Sequence, residues 1–271
     1  MQQYIICGSP RAGTTWLHNC LIKSGSFNGI EAIDSIPPSI YKKYFLTDED
    51  VTLLKYLKLY KYGLFFNRLI YKHLFVNRLS KIFSLYAVNN KTMAESPYYV
   101  YFLNEFKDIV GKEIKIVFLK RNPMDVAVSM SKHIHMKSLL LQEYKKSFDL
   151  YSTWPKNNIE DVNAHPIVKE YVMDNYSDLN IVERALYKWH YFTRTFFIFY
   201  KTNNNLDILI IDYDKLSNIS TLQSIESFFC SEVAATIKND FINKKNVDYS
   251  SMLSKKGRIL LNLIYKYTEE E

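Results

Sequence analysis

Cysteine and histidine are scarce in the sequence, and their spacing argues against metal sites built on them. Three cysteines and six histidines occur in 271 residues, without a Cys-x-x-Cys pair or a cysteine–histidine cluster. His133, His135 and His190 are not spaced with the acid and hydroxyl partners that a catalytic triad requires. We therefore expect no bound metal, and we expect all three cysteines to be reduced residues of the core.

Long apolar runs and linker-like segments are missing as well. The chain has no run of 18 apolar residues, so we expect no integral membrane segment. The first apolar stretch is entered by Tyr4, which leaves no room for a signal peptide, and a cytoplasmic location is expected. Because no stretch rich in proline, glycine and serine divides the chain, residues 1–271 are predicted to form a single domain.

Acidic residues are outnumbered by basic ones. The 35 Lys and Arg against 28 Asp and Glu give a net charge of +7 and an isoelectric point near 9.0. A basic surface suits any polyanionic partner, including nucleic acid, an anionic membrane or a multiply phosphorylated cofactor. Net charge alone does not distinguish among these partners, so the sequence motifs are needed to identify the ligand.

The stretch YIICGSPRAGTTWLHNCL, residues 4–21, has the order of a strand, a tight turn and a helix. Apolar and aromatic residues precede Gly8, and Gly13 opens a helix whose first turn contains Thr14 and Thr15. Free backbone N–H groups, two hydroxyls and the positive end of the helix dipole then converge on one point. Such a point favours a bound anion.

This turn has almost the spacing of the nucleotide-binding P-loop, G-x-x-x-x-G-K-S/T. Gly8, Gly13 and Thr15 match that pattern, but Thr14 stands where the P-loop has its lysine. The cation of the turn is instead Arg11. Because the missing lysine normally contacts the transferred phosphate of ATP or GTP, the loop predicts a different anionic ligand.

The segment PRAGTTWL resembles the 5′-phosphosulfate-binding loop of sulfotransferases that use 3′-phosphoadenosine 5′-phosphosulfate (PAPS), typically written P-K/R-S-G-T-T-W/L. Ala12 replaces the usual serine. The resemblance implies PAPS as the sulfuryl donor and adenosine 3′,5′-bisphosphate (PAP) as the product. The residues that it assigns to donor binding are Arg11, Ala12, Gly13, Thr14, Thr15 and Trp16, the last by stacking on the adenine.

A second segment supports the same resemblance. An apolar strand at 114–119 runs into KRNPMDVAVS, in which Arg121 ends the strand, Pro123 begins a helix and Ser129 follows. This order is similar to the family's 3′-phosphate motif, R-x-P-x-D-x-x-x-S. The resemblance implies that Arg121 and Ser129 bind the 3′-phosphate, and a guanidinium with a nearby hydroxyl is suited to that task.

Two glutamates are candidates for the catalytic base. Glu31, in a segment whose Asn28 and Gly29 predict a loop, resembles in spacing the base of Golgi and bacterial members, twenty residues after the loop arginine. Glu95 stands two residues before a proline, where cytosolic members have a histidine and other members a lysine. We take Glu31 as the base and keep Glu95 as the alternative, since either carboxylate can accept a proton.

Two regions have weaker resemblances. Lys256, Gly257 and Arg258 faintly resemble the Arg-Lys-Gly segment that holds the 3′-phosphate in cytosolic members, and a solvated basic tail is the competing interpretation. Helical patterns between about 40 and 86 form an insert at the place where family members build the acceptor pocket. This insert is therefore the predicted acceptor-binding region.

Strand and helix patterns alternate along the chain. Apolar strands are predicted at 4–7, 87–94, 114–119 and 206–211, and a long helix at 180–200. This alternation predicts an α/β protein, a three-layer α/β/α domain with a mainly parallel central sheet. The resemblance implies the P-loop-NTPase-like sulfotransferase fold, with the donor lying across the carboxyl ends of the strands.

The predicted function is transfer of a sulfuryl group from PAPS to a hydroxyl or amine of a carbohydrate or another small molecule, with no nucleic-acid partner. The sequence does not indicate an oligomeric state. Asp212, after the strand at 206–211, also resembles the magnesium-binding aspartate of NTPases, so a nucleotide kinase or another P-loop NTPase is one alternative. The other alternative is a non-catalytic basic binding protein.

Overall fold

A computed structural model describes residues 2–25, 27–31, 91–95, 97–110, 113–141, 163–241 and 248–270. In these residues five strands form one parallel sheet in the order β2-β3-β1-β4-β5. The strands are β1 (Gln2–Gly8), β2 (Asn28–Glu31), β3 (Lys91–Glu95), β4 (Ile114–Lys120) and β5 (Asp207–Asp212).

In the described part of the chain, helices connect β1 to β2, β3 to β4 and β4 to β5, as a parallel sheet requires. They are α1 (Thr14–Lys23), α2 (Leu103–Val110), α3 (Pro123–Lys132), α4 (Ile134–Leu140), α5 (Pro166–Asn175), α6 (Ile181–Thr202), α7 (Ile219–Phe229), α8 (Ala234–Asp240) and α9 (Lys255–Tyr267). Short 3₁₀ turns occupy Pro97–Phe102, Tyr213–Lys215 and Ser250–Met252.

Helices cover both faces of the sheet, which confirms the predicted three-layer α/β/α fold. Ile116 and Phe118 of β4 pack in a cluster with α3, α6 and α9, whereas Val117 and Leu119 pack in a cluster with α1, α7 and α8. Because both faces are buried, β4 needs apolar residues at consecutive positions. Burial of each of these side chains stabilises the fold by about 1.5–3 kcal/mol.

Most of the predicted strands are confirmed with small changes at their ends. The strands predicted at 4–7, 114–119 and 206–211 correspond to β1, β4 and β5. The strand predicted at 87–94 is confirmed where it overlaps β3, and residues 87–90 lie outside the described part of the chain. The helix predicted at 180–200 is α6.

The loop predicted around Asn28 and Gly29 is wrong. These residues belong to β2, which pairs in parallel register with β3, Gly29 opposite Met93 and Glu31 opposite Glu95. Asparagine and glycine have low strand propensity, but propensity is outweighed where a neighbouring strand supplies backbone partners. This correction moves Glu31 from a loop to the carboxyl end of a strand.

The prediction for the cysteines is confirmed at two of the three positions. Cys7 and Cys20 are buried in the two clusters that flank the sheet. Cys230 is exposed instead, because it follows the last turn of α7 and has a left-handed backbone conformation with φ of 48°. Its apolar neighbours Phe228 and Phe229 belong to the helix, so the apolar context in sequence was misleading.

Burial keeps His190 of α6 neutral, and two hydrogen bonds fix the position of its ring proton. Its Nε2 accepts from the backbone N–H of His165 at 3.1 Å. Its Nδ1 lies 2.8 Å from the Thr268 hydroxyl, which itself donates to the carbonyl of Ile264, so Nδ1 bears the ring proton. Burial, and next the charge of Arg194, lowers the pKa of His190 from 6.5 to about 3.

This arrangement predicts a loss of stability in acid. Between pH 6.5 and about pH 3 the unfolded chain binds a proton at His190 that the native protein does not. The free energy of unfolding should therefore fall with decreasing pH in this window, by at most ~1.4 kcal/mol per pH unit from this residue. Urea denaturation across the window should show a flatter slope for His190→Asn than for the wild type. A smaller flattening is expected for His165→Gln, because burial lowers the pKa of His165 as well, and an unchanged slope in His190→Asn would contradict the assignment.

Candidate functional site

The carboxyl ends of the parallel strands lie along one edge of the sheet, and the predicted site residues follow them. Arg11 lies in the turn after β1, Glu31 and Glu95 are the last residues of β2 and β3, and Arg121 follows β4. Tyr213 begins the turn after β5. Open α/β sheets bind their ligands at this edge.

The turn between β1 and α1 (residues 9–13, here called the anion loop) has a strained, close-fitting backbone. Arg11 and Gly13 have left-handed conformations, with φ of 69° and 106°. A Cβ on Gly8 would lie 2.7 Å from the carbonyl oxygen of Leu119 in β4, so this position also requires glycine. No side chain caps α1, which leaves its first N–H groups available to an anion.

The structure brings the two predicted phosphate motifs into contact. Arg11 Nε donates to Ser129 Oγ at 3.2 Å, across 118 residues of chain. Arg121 Nη1 donates to the carbonyl oxygen of Arg11 at 3.4 Å. The anion loop and the turn after β4 therefore form one continuous surface that contains two guanidinium groups and a hydroxyl.

Two hydrogen-bond donors of Arg121 are not used by the described residues. The residue is only 7% exposed, and its Nε and Nη2 have no hydrogen-bond partner among the described residues. The carboxylate of Asp125 is 3.9 Å from Nε, beyond hydrogen-bond distance. Two buried donors without acceptors are costly, and an anionic group such as phosphate would satisfy both.

Glu95, the alternative base, contacts the helix that follows the anion loop. Its Oε2 accepts a hydrogen bond from Thr15 Oγ1 at 3.2 Å, and the residue is 2% exposed. Its register partner on β2 is Glu31, so the backbones of the two candidate bases are neighbours about 4.8 Å apart. Burial, and next the charge of Glu95, raises the pKa of the Cys7 thiol, which excludes Cys7 as a thiolate nucleophile.

Trp16, predicted to stack on an adenine, lies in an aromatic group with Tyr213 and Phe241. The ring centroids of Trp16 are 5.5 Å from Tyr213 and 6.1 Å from Phe241. Ala12 and Thr14, also assigned to the loop, are buried. The assignment of these residues to donor binding stays a prediction.

The C-terminal basic segment makes contacts with other parts of the fold. The ammonium group of Lys256 forms an ion pair with Asp178, which follows α5. A Cβ on Gly257 would lie 2.0 Å from Glu183 Oε1, so the glycine allows α9 to pack against α6. These contacts account for the segment structurally, and a role of Lys256, Gly257 and Arg258 in phosphate binding stays a prediction. The insert at about 40–86 lies outside the described residues.

Sequence reasoning missed two parts of the site. Tyr213 is not among the predicted site residues, yet its ring contacts Arg121, with the guanidinium carbon 4.5 Å from the ring centroid. Asp125 accepts a hydrogen bond from the hydroxyl of Tyr249, whose pKa is raised to about 12 by burial and by that bond. Tyr213 could have been identified from the sequence, because it is an aromatic residue directly after a strand that ends at the ligand edge.

A small cavity of about 190 Å³ opens beside Arg121 at the ends of β4 and β5. Its lining includes Trp189, whose indole N–H donates to the Arg121 carbonyl at 3.1 Å and fixes the backbone there. Among the described residues, no group of three or more His, Cys, Asp or Glu side chains is placed to hold a metal. No helix in the same part of the chain is long and apolar enough to cross a membrane.

Solved structures with similar folds are sulfotransferase domains. The sulfotransferase domain from the curacin biosynthetic pathway is 12% identical, with 97% of each chain covered and a TM-score of 0.50. The sulfotransferase domain from the Synechococcus PCC 7002 olefin synthase is 13% identical, with 100% of this chain and 89% of that chain covered and a TM-score of 0.47. No curated protein matches the chain.

The sequence itself matches a family profile over most of its length. The profile describes the sulfotransferase domain, and the match extends over residues 1–229. It includes the anion loop, both glutamates and the motif of Arg121 and Ser129. The chain therefore belongs to the sulfotransferase domain family.

Proposed function

We propose that the protein transfers a sulfuryl group from PAPS to a hydroxyl or amine of a carbohydrate or another small molecule. The observation that best supports this proposal is the contact between the two phosphate motifs. Arg11 reaches Ser129, and Arg121 reaches the backbone of Arg11. A donor that is phosphorylated at both ends fits two joined anion sites better than a nucleotide with a single phosphate chain.

The residues present fit PAPS in chemical type. The first turn of α1 and Arg11 would hold the 5′-phosphosulfate, with Trp16 beside the adenine. The unpartnered Nε and Nη2 of Arg121 and the hydroxyl of Ser129 would hold the 3′-phosphate. Thr14, in place of the P-loop lysine, removes the contact on which an ATP-dependent enzyme relies.

Residues of this chain would stabilise the negative charge that develops in the reaction and would accept a proton. PAPS supplies a sulfuryl group whose bond to the phosphate oxygen breaks as the bond to the acceptor oxygen or nitrogen forms. The positive charge of Arg11 and the N–H groups around Gly13 and Thr15 would stabilise the negative charge that grows near the bridging oxygen. A carboxylate would accept the proton that the acceptor loses.

Glu31 is the proposed base and Glu95 the alternative. Both end strands at the ligand edge, and their backbones are register partners. Glu95 already accepts a hydrogen bond from Thr15, so it can either take the proton or position that hydroxyl. No step of this scheme requires a metal ion.

The contacts of Asp212 weigh against an NTPase. Its carboxylate accepts from the backbone N–H of Asp214 at 3.1 Å and lies 3.5 Å from the ammonium of Lys215. Asp212 thus caps the turn after β5, which gives it a structural use without magnesium. Among the described residues, no contact specifically favours the other alternative, a non-catalytic basic protein.

Calorimetry with PAP and with ATP, with and without Mg²⁺, tests the proposal. We expect PAP to bind without metal and at least ~10-fold more tightly than ATP, because only PAP places phosphates at both sites. Tight, Mg²⁺-dependent binding of ATP alone would support a kinase or NTPase instead. Salt-sensitive binding of an oligonucleotide without PAP binding would support the basic binding protein.

A second experiment on the same protein would identify the acceptor class. A panel of sugars, phenols, peptides and lipids, incubated with sulfur-labelled PAPS, would identify the class that receives the label. We expect transfer to a member of this panel together with release of PAP. Binding of PAP with no labelled product from any class would leave the chain as a binding protein.

A further inference from the structure

We infer that Tyr213 is a positioning residue, whose ring holds the Arg121 guanidinium in the plane that receives the 3′-phosphate. The inference rests on the proposed function, because it concerns a phosphate contact that Arg121 makes there. Tyr213 would act by packing its ring against Arg121 and the anion loop, and its hydroxyl is not required for this role.

The ring of Tyr213 contacts parts of both phosphate motifs. The guanidinium carbon of Arg121 lies 4.5 Å from its centroid, within the range of a cation–π interaction. Its Cε2 and Cδ2 lie 3.1 and 3.3 Å from the place a Cβ would take on Gly13. Trp16 meets it edge to face, with centroids 5.5 Å apart. One ring therefore packs between the anion loop and the second phosphate motif.

Arg121 needs such a support because its other contacts are weak. Its bond to the Arg11 carbonyl is 3.4 Å long, and the Asp125 carboxylate is 3.9 Å away. Neither distance fixes the plane of a guanidinium group. Contact with the face of the Tyr213 ring restricts the guanidinium, while Nε and Nη2, which have no hydrogen-bond partner among the described residues, stay available to a phosphate.

Tyr213 is itself held in place by the turn after β5. Asp212 caps this turn by accepting from the N–H of Asp214 at 3.1 Å. Asp214 in turn accepts from the backbone N–H of Asn122, next to Arg121, at 3.3 Å. On the other side, the ring of Phe241 lies 5.4 Å from the Tyr213 ring. The ring is thus fixed relative to the backbone that bears Arg121.

The test compares the affinity for PAP with the affinity for adenosine 5′-monophosphate, which lacks the 3′-phosphate. The dissociation constant of adenosine 5′-monophosphate divided by that of PAP isolates the contribution of the 3′-phosphate, which Arg121 and Ser129 would contact, from general packing effects. We expect Tyr213→Leu to reduce this ratio by about tenfold, which lies within the range of cation–π energies. Tyr213→Phe keeps the ring and should keep the ratio within about twofold. Phe241→Leu removes a ring that supports Tyr213 without touching Arg121, and it should reduce the ratio less than Tyr213→Leu does.

The outcomes separate this inference from the proposed function. If the wild type binds PAP no better than adenosine 5′-monophosphate, the proposed function fails. If the wild type prefers PAP and Tyr213→Leu preserves that preference, the inference is overturned and the proposed function stands. Equal losses in Tyr213→Phe and Tyr213→Leu would assign the effect to the hydroxyl and also overturn it. Tyr213→Met, an unbranched apolar replacement, takes the place of the leucine variant if that variant does not fold.

Discussion

Replacing Arg11 with alanine is expected to slow turnover by about 10² to 10³, which corresponds to a loss of ~2.7–4 kcal/mol of transition-state stabilisation. Arg11 is the cation of the anion loop, and its side chain is exposed at the ligand edge. Its positive charge would mainly stabilise the negative charge that develops during sulfuryl transfer. The measurement is kcat at saturating PAPS with an acceptor from the panel.

The backbone conformation at position 11 allows the alanine and lysine variants to be compared directly. Arg11 has a φ of 69°, and alanine and lysine share the same steric cost there, so the variants differ in the side chain. Arg11→Lys retains the charge and should retain most of the activity, although it loses the bidentate geometry. An Arg11→Ala enzyme with unchanged kcat would contradict the role of Arg11 in the transition state.

Glutamine at position 31 is expected to lower kcat by about 10² to 10⁴, the usual contribution of a general base. Glutamine has nearly the shape of glutamate but cannot accept the proton. The acidic limb of the pH–rate profile, which reports the ionisation of the base, should disappear in Glu31→Gln.

Glu95→Gln is the matched control on the neighbouring strand. Its amide oxygen can still accept the hydrogen bond from Thr15, so donor affinity should change little. If Glu31→Gln keeps full activity, our assignment of the base is wrong, and loss of activity in Glu95→Gln would then assign the role to Glu95. If only Glu31→Gln is inactive, Glu95 is a positioning group for Thr15.

The motifs could be predicted from the sequence because their information is local. A glycine-opened turn before a helix, or an arginine between a strand and a proline, specifies its own backbone and donors within a few residues. The apolar run at 114–119 likewise predicted a strand buried on both faces. The contact between Arg11 and Ser129, across 118 residues, was not predicted, because it depends on how both turns lie at one sheet edge.

Features that depend on partners could not be predicted in the same way. β2 forms because β3 pairs with it, and neither Asn28 nor Gly29 contains that information. The stacking of Arg121 on Tyr213 depends on the order of β4 and β5 in the sheet. The packing of Gly257 against Glu183, which requires a residue without a side chain, was likewise not predicted.

A crystal structure of the protein with PAP bound tests the central claim most directly, the claim that both phosphate motifs bind one nucleotide. We predict one phosphate at the first turn of α1, within hydrogen-bond distance of the N–H groups of Thr14 and Thr15. We predict the other phosphate on Nε and Nη2 of Arg121 and on the Ser129 hydroxyl. A nucleotide bound with its 3′-phosphate away from Arg121 and Ser129, or bound elsewhere on the protein, would contradict the account.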